Sequence, residues 1–111
     1  MKIDHQAIGT VQVLSPYGAL VDEDAEVFCK ELTELIDCPS PRIVVSLADV
    51  PYMDSAALEG LWAAADELAN RASGLKLANV SPTCREILEL TGLSRRFRFF
   101  EDVRDAAKSF M

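Results

Sequence analysis

The apolar positions of the chain fall into short β-branched runs separated by stretches with helical spacing. Ile8, Val11 and Val13 mark a strand in residues 8–14, Ser15-Pro16-Tyr17-Gly18 supplies turn chemistry, and Ala19-Leu20-Val21 is a second apolar run, so an opening hairpin is expected. From Asp24 to Ile36, Val27, Phe28, Leu32, Leu35 and Ile36 recur three and four residues apart, which predicts an amphipathic helix. Asp22, Glu23, Asp24 and Glu26 crowd its start, where carboxylates complement the positive end of the helix dipole. Pro39 and Pro41 end that helix, and Arg42 to Ala48 reads as a central strand, apolar on both faces.

A loop, Asp49 to Ser55, leads into a second helical stripe of Leu58, Leu61, Trp62, Ala65, Leu68, Ala69 and Ala72, stopped by Ser73-Gly74. Leu75 to Val80 is the next strand. Ser81-Pro82 then sets a capping hydroxyl and an N1 proline before Ile87, Leu88 and Thr91, with Gly92 as the stop. Phe97, Phe99 and Phe100 suggest a last strand, and Asp102 caps a short helix with Val103, Ala106, Ala107 and Phe110. The order β-β-α-β-α-β-α-β-α implies an α/β fold, bordering on α+β, with a mixed sheet whose parallel members are joined by right-handed crossovers. At 111 residues, one domain over 1–111 is expected.

Composition narrows the function. Half of the residues are hydrophobic and the net charge is −7, so phosphate backbones and anionic lipid surfaces are disfavoured and nucleic acid is not an expected partner. The charge is polarised, −10 over residues 1–70 and +3 over residues 71–111, which suits a steered protein partner. Apolar runs are far shorter than the roughly 20 residues a bilayer span needs, so no direct membrane insertion is expected. Cys29, Cys38 and Cys84 are an odd number without Cys-x-x-Cys spacing or a preceding signal-peptide pattern, and read as reduced cytoplasmic thiols. The single histidine, His5, excludes two-histidine metal motifs, and no metal or cofactor is expected.

The chemistry-bearing stretch is Pro51-Tyr52-Met53-Asp54-Ser55-Ala56-Ala57-Leu58, which puts a hydroxyl where a strand-exit loop meets a helix N-terminus. A phosphate there would add about −1.5 to −2 charges beside unpaired amides, so the surface would change while the helix persists. The plainer alternative is that Ser55, or Asp54 before it, only caps the helix.

Arg42 to Ala48, Val50-Pro51-Tyr52-Met53-Asp54-Ser55, Leu75 to Pro82 and Leu88-Glu89-Leu90-Thr91-Gly92-Leu93, in this order, resemble the STAS domain of anti-sigma factor antagonists over nearly the whole chain. The resemblance implies a sheet of four or five strands flanked by about four helices, in a cytoplasmic, bacterial, non-enzymatic protein that acts by binding. It implies that Ser55 is a phosphorylation site, a substrate and not a catalyst. The unphosphorylated antagonist would bind an anti-sigma factor serine kinase and so free a sigma factor. Phosphorylation would break the complex and a serine phosphatase would restore it, with ATP and Mg²⁺ belonging to the kinase. Tyr52, Met53, Asp54, Ser55, Ala56, Leu58 and Glu59 would form the partner surface, joined by Asp22, which follows Gly18 as an aspartate does in many relatives.

Family sequences usually follow the serine with a small residue, glycine, an aliphatic residue and glycine; this chain has Ala56, Ala57, Leu58 and Glu59. Ala57 is therefore expected to add a methyl where a kinase backbone approaches, and Glu59, four residues on, to repel a phosphate. The family also includes stressosome scaffold components and transporter-associated subunits, in which Ser55 would be only a cap, and homo-oligomers remain open. An enzymatic reading is weak. Ser55 lacks a plausible histidine base, Asp49 and Asp54 have no evident pocket, and Cys84 has a helix start to lower its pKa but no partner. Thr83 reads as a first-turn solvent residue, and Trp62 and Phe28 as core.

Overall fold

A computed structural model describes residues 1–71 and 73–110. The elements are β1 (Lys2–Ile8), β2 (Val11–Tyr17), α1 (Asp22–Ile36), β3 (Ile43–Ser46), α2 (Ser55–Asn70), β4 (Lys76–Ala78), α3 (Pro82–Leu90), a 3₁₀ turn (Leu93–Arg96), β5 (Arg98–Phe100) and α4 (Val103–Lys108). They form a five-stranded sheet in the order β1-β2-β3-β4-β5. The β1–β2 pair is antiparallel, and every later pair is parallel. The expected mixed α/β architecture with four helices is present.

The opening hairpin sits one strand earlier than its apolar pattern suggests. The turn is at Gly9-Thr10, with Gly9 at φ 61°, and Ser15-Pro16 lies inside β2, where Pro16 stands opposite Ile3. β1 is hard to see in the sequence because most of its side chains face water, leaving no apolar alternation to read. The run Ala19-Leu20-Val21 is not a strand; Leu20 alone bridges to Met53.

Alternation along the strands sends side chains to two cores. Leu14, Ile43, Val45, Leu75 and Leu77 face α1, α2 and α3, packing on Phe28, Leu32, Leu61, Leu68 and Leu88. Val11, Val13, Val44 and Ala78 face α4 through Ala106 and Ala107. The two-faced apolar run of β3 is thus buried on both sides, as its sequence requires. On α2 the buried stripe is Ala57, Leu61, Ala64, Ala65 and Leu68. Ala69 is exposed, Ala72 lies outside the described residues, and Trp62, expected in the core, is 40% exposed on the flank of the helix.

Helices α1 and α2 cross closely at Gly60. A Cβ at that position would stand 1.9 Å from Cys29 Sγ, so only glycine fits beneath this thiol.

Candidate functional site: the mouth of helix α2

The loop from β3 to α2 is held on both sides. Toward β2, the amide of Gly18 donates to the Asp49 carbonyl at 2.9 Å, that of Leu20 to the Tyr52 carbonyl at 3.1 Å, and that of Asp54 to the Leu20 carbonyl at 2.9 Å. Toward α3, Ser81 Oγ and Cys84 Sγ both donate to the Val50 carbonyl at 3.3 Å. Val50 and Met53 point inward, 1% and 5% exposed, which anchors the loop from below. The loop is therefore a built platform at the C-terminal ends of the parallel strands.

Asp54 is the N-cap of α2. Its Oδ1 accepts from the Ala57 amide at 3.0 Å, and its Oδ2 accepts from the Asp22 amide at 2.8 Å. Val21, the residue before α1, offers no side-chain cap, so Asp54 serves the start of α1 as well. This bond accompanies the left-handed backbone of Asp22, at φ 51°, which a non-glycine residue rarely adopts. The Asp22 and Ala57 amides, in that order, hold the Asp54 carboxyl below the ordinary aspartate range.

Ser55 is the first residue of α2 and is exposed, as is Ala56. Tyr52 is 50% exposed beside them. Met53 belongs to the core instead of bordering the surface with its side chain. Ala57 is also buried, so its methyl faces the core and adds nothing to the exposed surface around Ser55. Asp22, far away in sequence, lies against Asp54 through its own amide.

Ser55, Leu58, Glu59 and Trp62 on α2, with Thr91 and Leu93 after α3, line a shallow apolar groove of about 310 Å³. Arg96 lies over its far end, with its guanidinium carbon 5.5 Å from the Trp62 ring centroid. The periodic spacing that assigned Trp62 to the core was misleading. A stripe of Ala57, Leu61, Ala64, Ala65 and Leu68 already fills the inward face, and that competing register was the available signal. Leu93 and Thr91 belong to the Leu-Thr-Gly-Leu stretch, whose meeting with Ser55 is a tertiary event.

The other candidates lie apart or are occupied. His5 Nε2 bonds Gln12 Oε1 at 2.6 Å on the hairpin. Both oxygens of Asp54 accept backbone amides. Cys84 is a buried core thiol, and burial pushes its pKa up despite the helix start beside it. Burial, with the Asp54 charge, does the same to Cys29. Thr83 is exposed on the first turn of α3. No group of three metal-ligating side chains occurs, and no helix is long and apolar enough to cross a membrane, among the described residues.

The geometry has counterparts in known proteins. The STAS domain profile matches residues 2–106. BtrV of Bordetella bronchiseptica, an anti-sigma factor antagonist by assignment, is 28% identical over 109 residues, covering 98% of this chain and 90% of its own length. A solved structure from Thermotoga maritima with the same assignment superposes with a TM-score of 0.87 at 21% identity, over 96% of this chain and 92% of the other. The antagonist SpoIIAA superposes in its unphosphorylated form with a TM-score of 0.79 at 19% identity, over 98% and 96% of the two chains. In its phosphorylated form, as the Bacillus cell fate determinant, it does so with 0.75 at 18% identity, over 99% and 100%. At these identities the solved structures speak for the fold, and the profile, spanning nearly the whole chain, speaks for descent. The chain belongs to the STAS domain family.

Proposed function

We propose that this chain, acting as a single cytoplasmic domain, is an anti-sigma factor antagonist that binds an anti-sigma serine kinase through the surface around Ser55 and is released when Ser55 is phosphorylated. The observation that carries this reading is the placement of Ser55. Its residue is exposed at the first position of α2, one residue after a cap that already satisfies the helix and beside an apolar groove. Capping is done by Asp54, which leaves the Ser55 hydroxyl with no required structural role. The kinship with BtrV and the existence of SpoIIAA in both phosphorylation states support the same assignment.

In the switch, Ser55 Oγ attacks the γ-phosphorus of ATP held by the kinase. The new O–P bond forms as the bond to ADP breaks, and the hydroxyl proton passes to a base of the kinase. The phosphate then sits against the amides of the first turn of α2, so the helix survives, while the partner interface must desolvate about two extra charges. Free-energy differences of about 1–3 kcal/mol between bound and released states suffice for such a switch. A serine phosphatase that removes the phosphate resets it.

Incubation with the cognate kinase and ATP, followed by intact-mass measurement, tests this. The wild type gains one phosphate and Ser55→Ala gains none. An unmodified wild type, together with capture of scaffold or transporter subunits whose affinity ignores Ser55→Asp, would instead identify an interaction module without a switch.

A further inference from the structure

Arg96 has no carboxylate partner among the described residues, and its guanidinium rests over Trp62. Trp62 shares its groove with Glu59 and Ser55, which stand three and seven residues before it on α2. Long side chains on a helix lean toward its N-terminus, so the indole covers the turn that carries Leu58 and Glu59. With a rise of about 1.5 Å per residue, that turn lies roughly 6 Å along the axis from Ser55, which sets the scale of the swing the guanidinium must make from Trp62. Leu93 anchors the 3₁₀ turn against the core, whereas Arg96 at its end is exposed, so the turn is held while the arginine side chain is free to swing.

We propose that Arg96 is the intramolecular counter-ion of a phosphate on Ser55. Resting on the Ser55 assignment above, this adds a second arm to the switch. The phosphate draws the guanidinium off Trp62 and across Leu58, where it also offsets the Glu59 charge. A bidentate guanidinium–phosphate contact outcompetes an exposed cation–π contact. Modification then covers the groove floor near Ser55 with a charged side chain, so the docking surface is lost from within as well as by repulsion. It also explains how a phosphate is accommodated in a sequence that places Glu59 one turn away.

The test uses the full chain with phosphoserine installed at position 55 during synthesis, so no kinase takes part. Trp62 is the single tryptophan and reports directly. Relative to the unmodified chain, acrylamide quenching of Trp62 rises and the Arg96 Nε–H resonance shifts downfield. Both changes persist in Arg95→Gln and grow in Glu59→Gln, and the quenching change vanishes in Arg96→Gln. Unchanged quenching in the phosphorylated wild type, or the same rise in Arg96→Gln, would overturn the proposal. A kinase that leaves Ser55 unmodified would sink the functional assignment alone, because the Arg96 contact is read from a phosphate the kinase did not supply.

Discussion

The carboxylate of Asp54 reaches the amide of Asp22, 32 residues away in sequence, at 2.8 Å while capping its own helix through Ala57. One side chain thereby fixes the starts of α1 and α2 relative to each other and sets the backbone on both sides of Ser55.

Asp54→Ala should lower the melting temperature more than an ordinary cap deletion, because two helix starts lose their acceptor. The pH sign follows from the lowered pKa. The folded carboxyl titrates below the unfolded one, so its stabilisation is fully present above the ordinary aspartate range and fades as pH falls through the lowered value. Melting curves of wild type and Asp54→Ala should therefore differ at neutral pH and converge in strong acid. A gap that stays constant down to strong acid would refute this role for the charge.

Gly60→Ala places a methyl into Cys29 Sγ at the α1–α2 crossing and should destabilise by about 1–3 kcal/mol, the usual range for overpacking. Adding Cys29→Ala removes the sulfur and should recover most of that loss. Urea unfolding of the single and double variants measures the coupling.

Trp62→Ala should cost about 1 kcal/mol or less in folding, since the side chain is 40% exposed, yet reduce kinase affinity about tenfold or more, as loss of an aromatic anchor does. Calorimetric titration set against chemical denaturation separates the two effects.

Ser55→Ala should bind the kinase and take no phosphate, whereas Ser55→Asp should lose affinity by about 5-fold or more. Glu59→Gln removes a like charge one turn away and should stabilise the phosphorylated chain by about 0.2–0.5 kcal/mol relative to the unphosphorylated one. Differential melting of the four species reads this directly.

Local chemistry made much of this architecture legible. The Ser81-Pro82 start of α3 was readable because its cap and its N1 proline act on adjacent residues, and the hydroxyl does accept from the Cys84 amide at 3.3 Å. The two-faced run of β3 was readable because both of its neighbouring layers demand apolar side chains. By contrast, β1 joins the sheet through its backbone with only Ile3 and Ile8 leaning on the cores, so no apolar alternation marks it. The bond from Asp22 to Asp54, the groove that joins Trp62 to Leu93, and the inward turn of Ala57 arise only when distant segments pack.

The strands lie side by side in the order in which they are synthesised, and this has a consequence for how the chain acquires its shape. Each new strand finds its neighbour already present as it emerges, so the sheet can grow in step with synthesis, each parallel pairing after the first hairpin waiting only for the crossover helix before it. The groove beside Ser55 is the exception, because Thr91 and Leu93 close it only after the third helix has been laid down. Assembly of the proposed docking surface is then a late event, one that reports a nearly finished molecule.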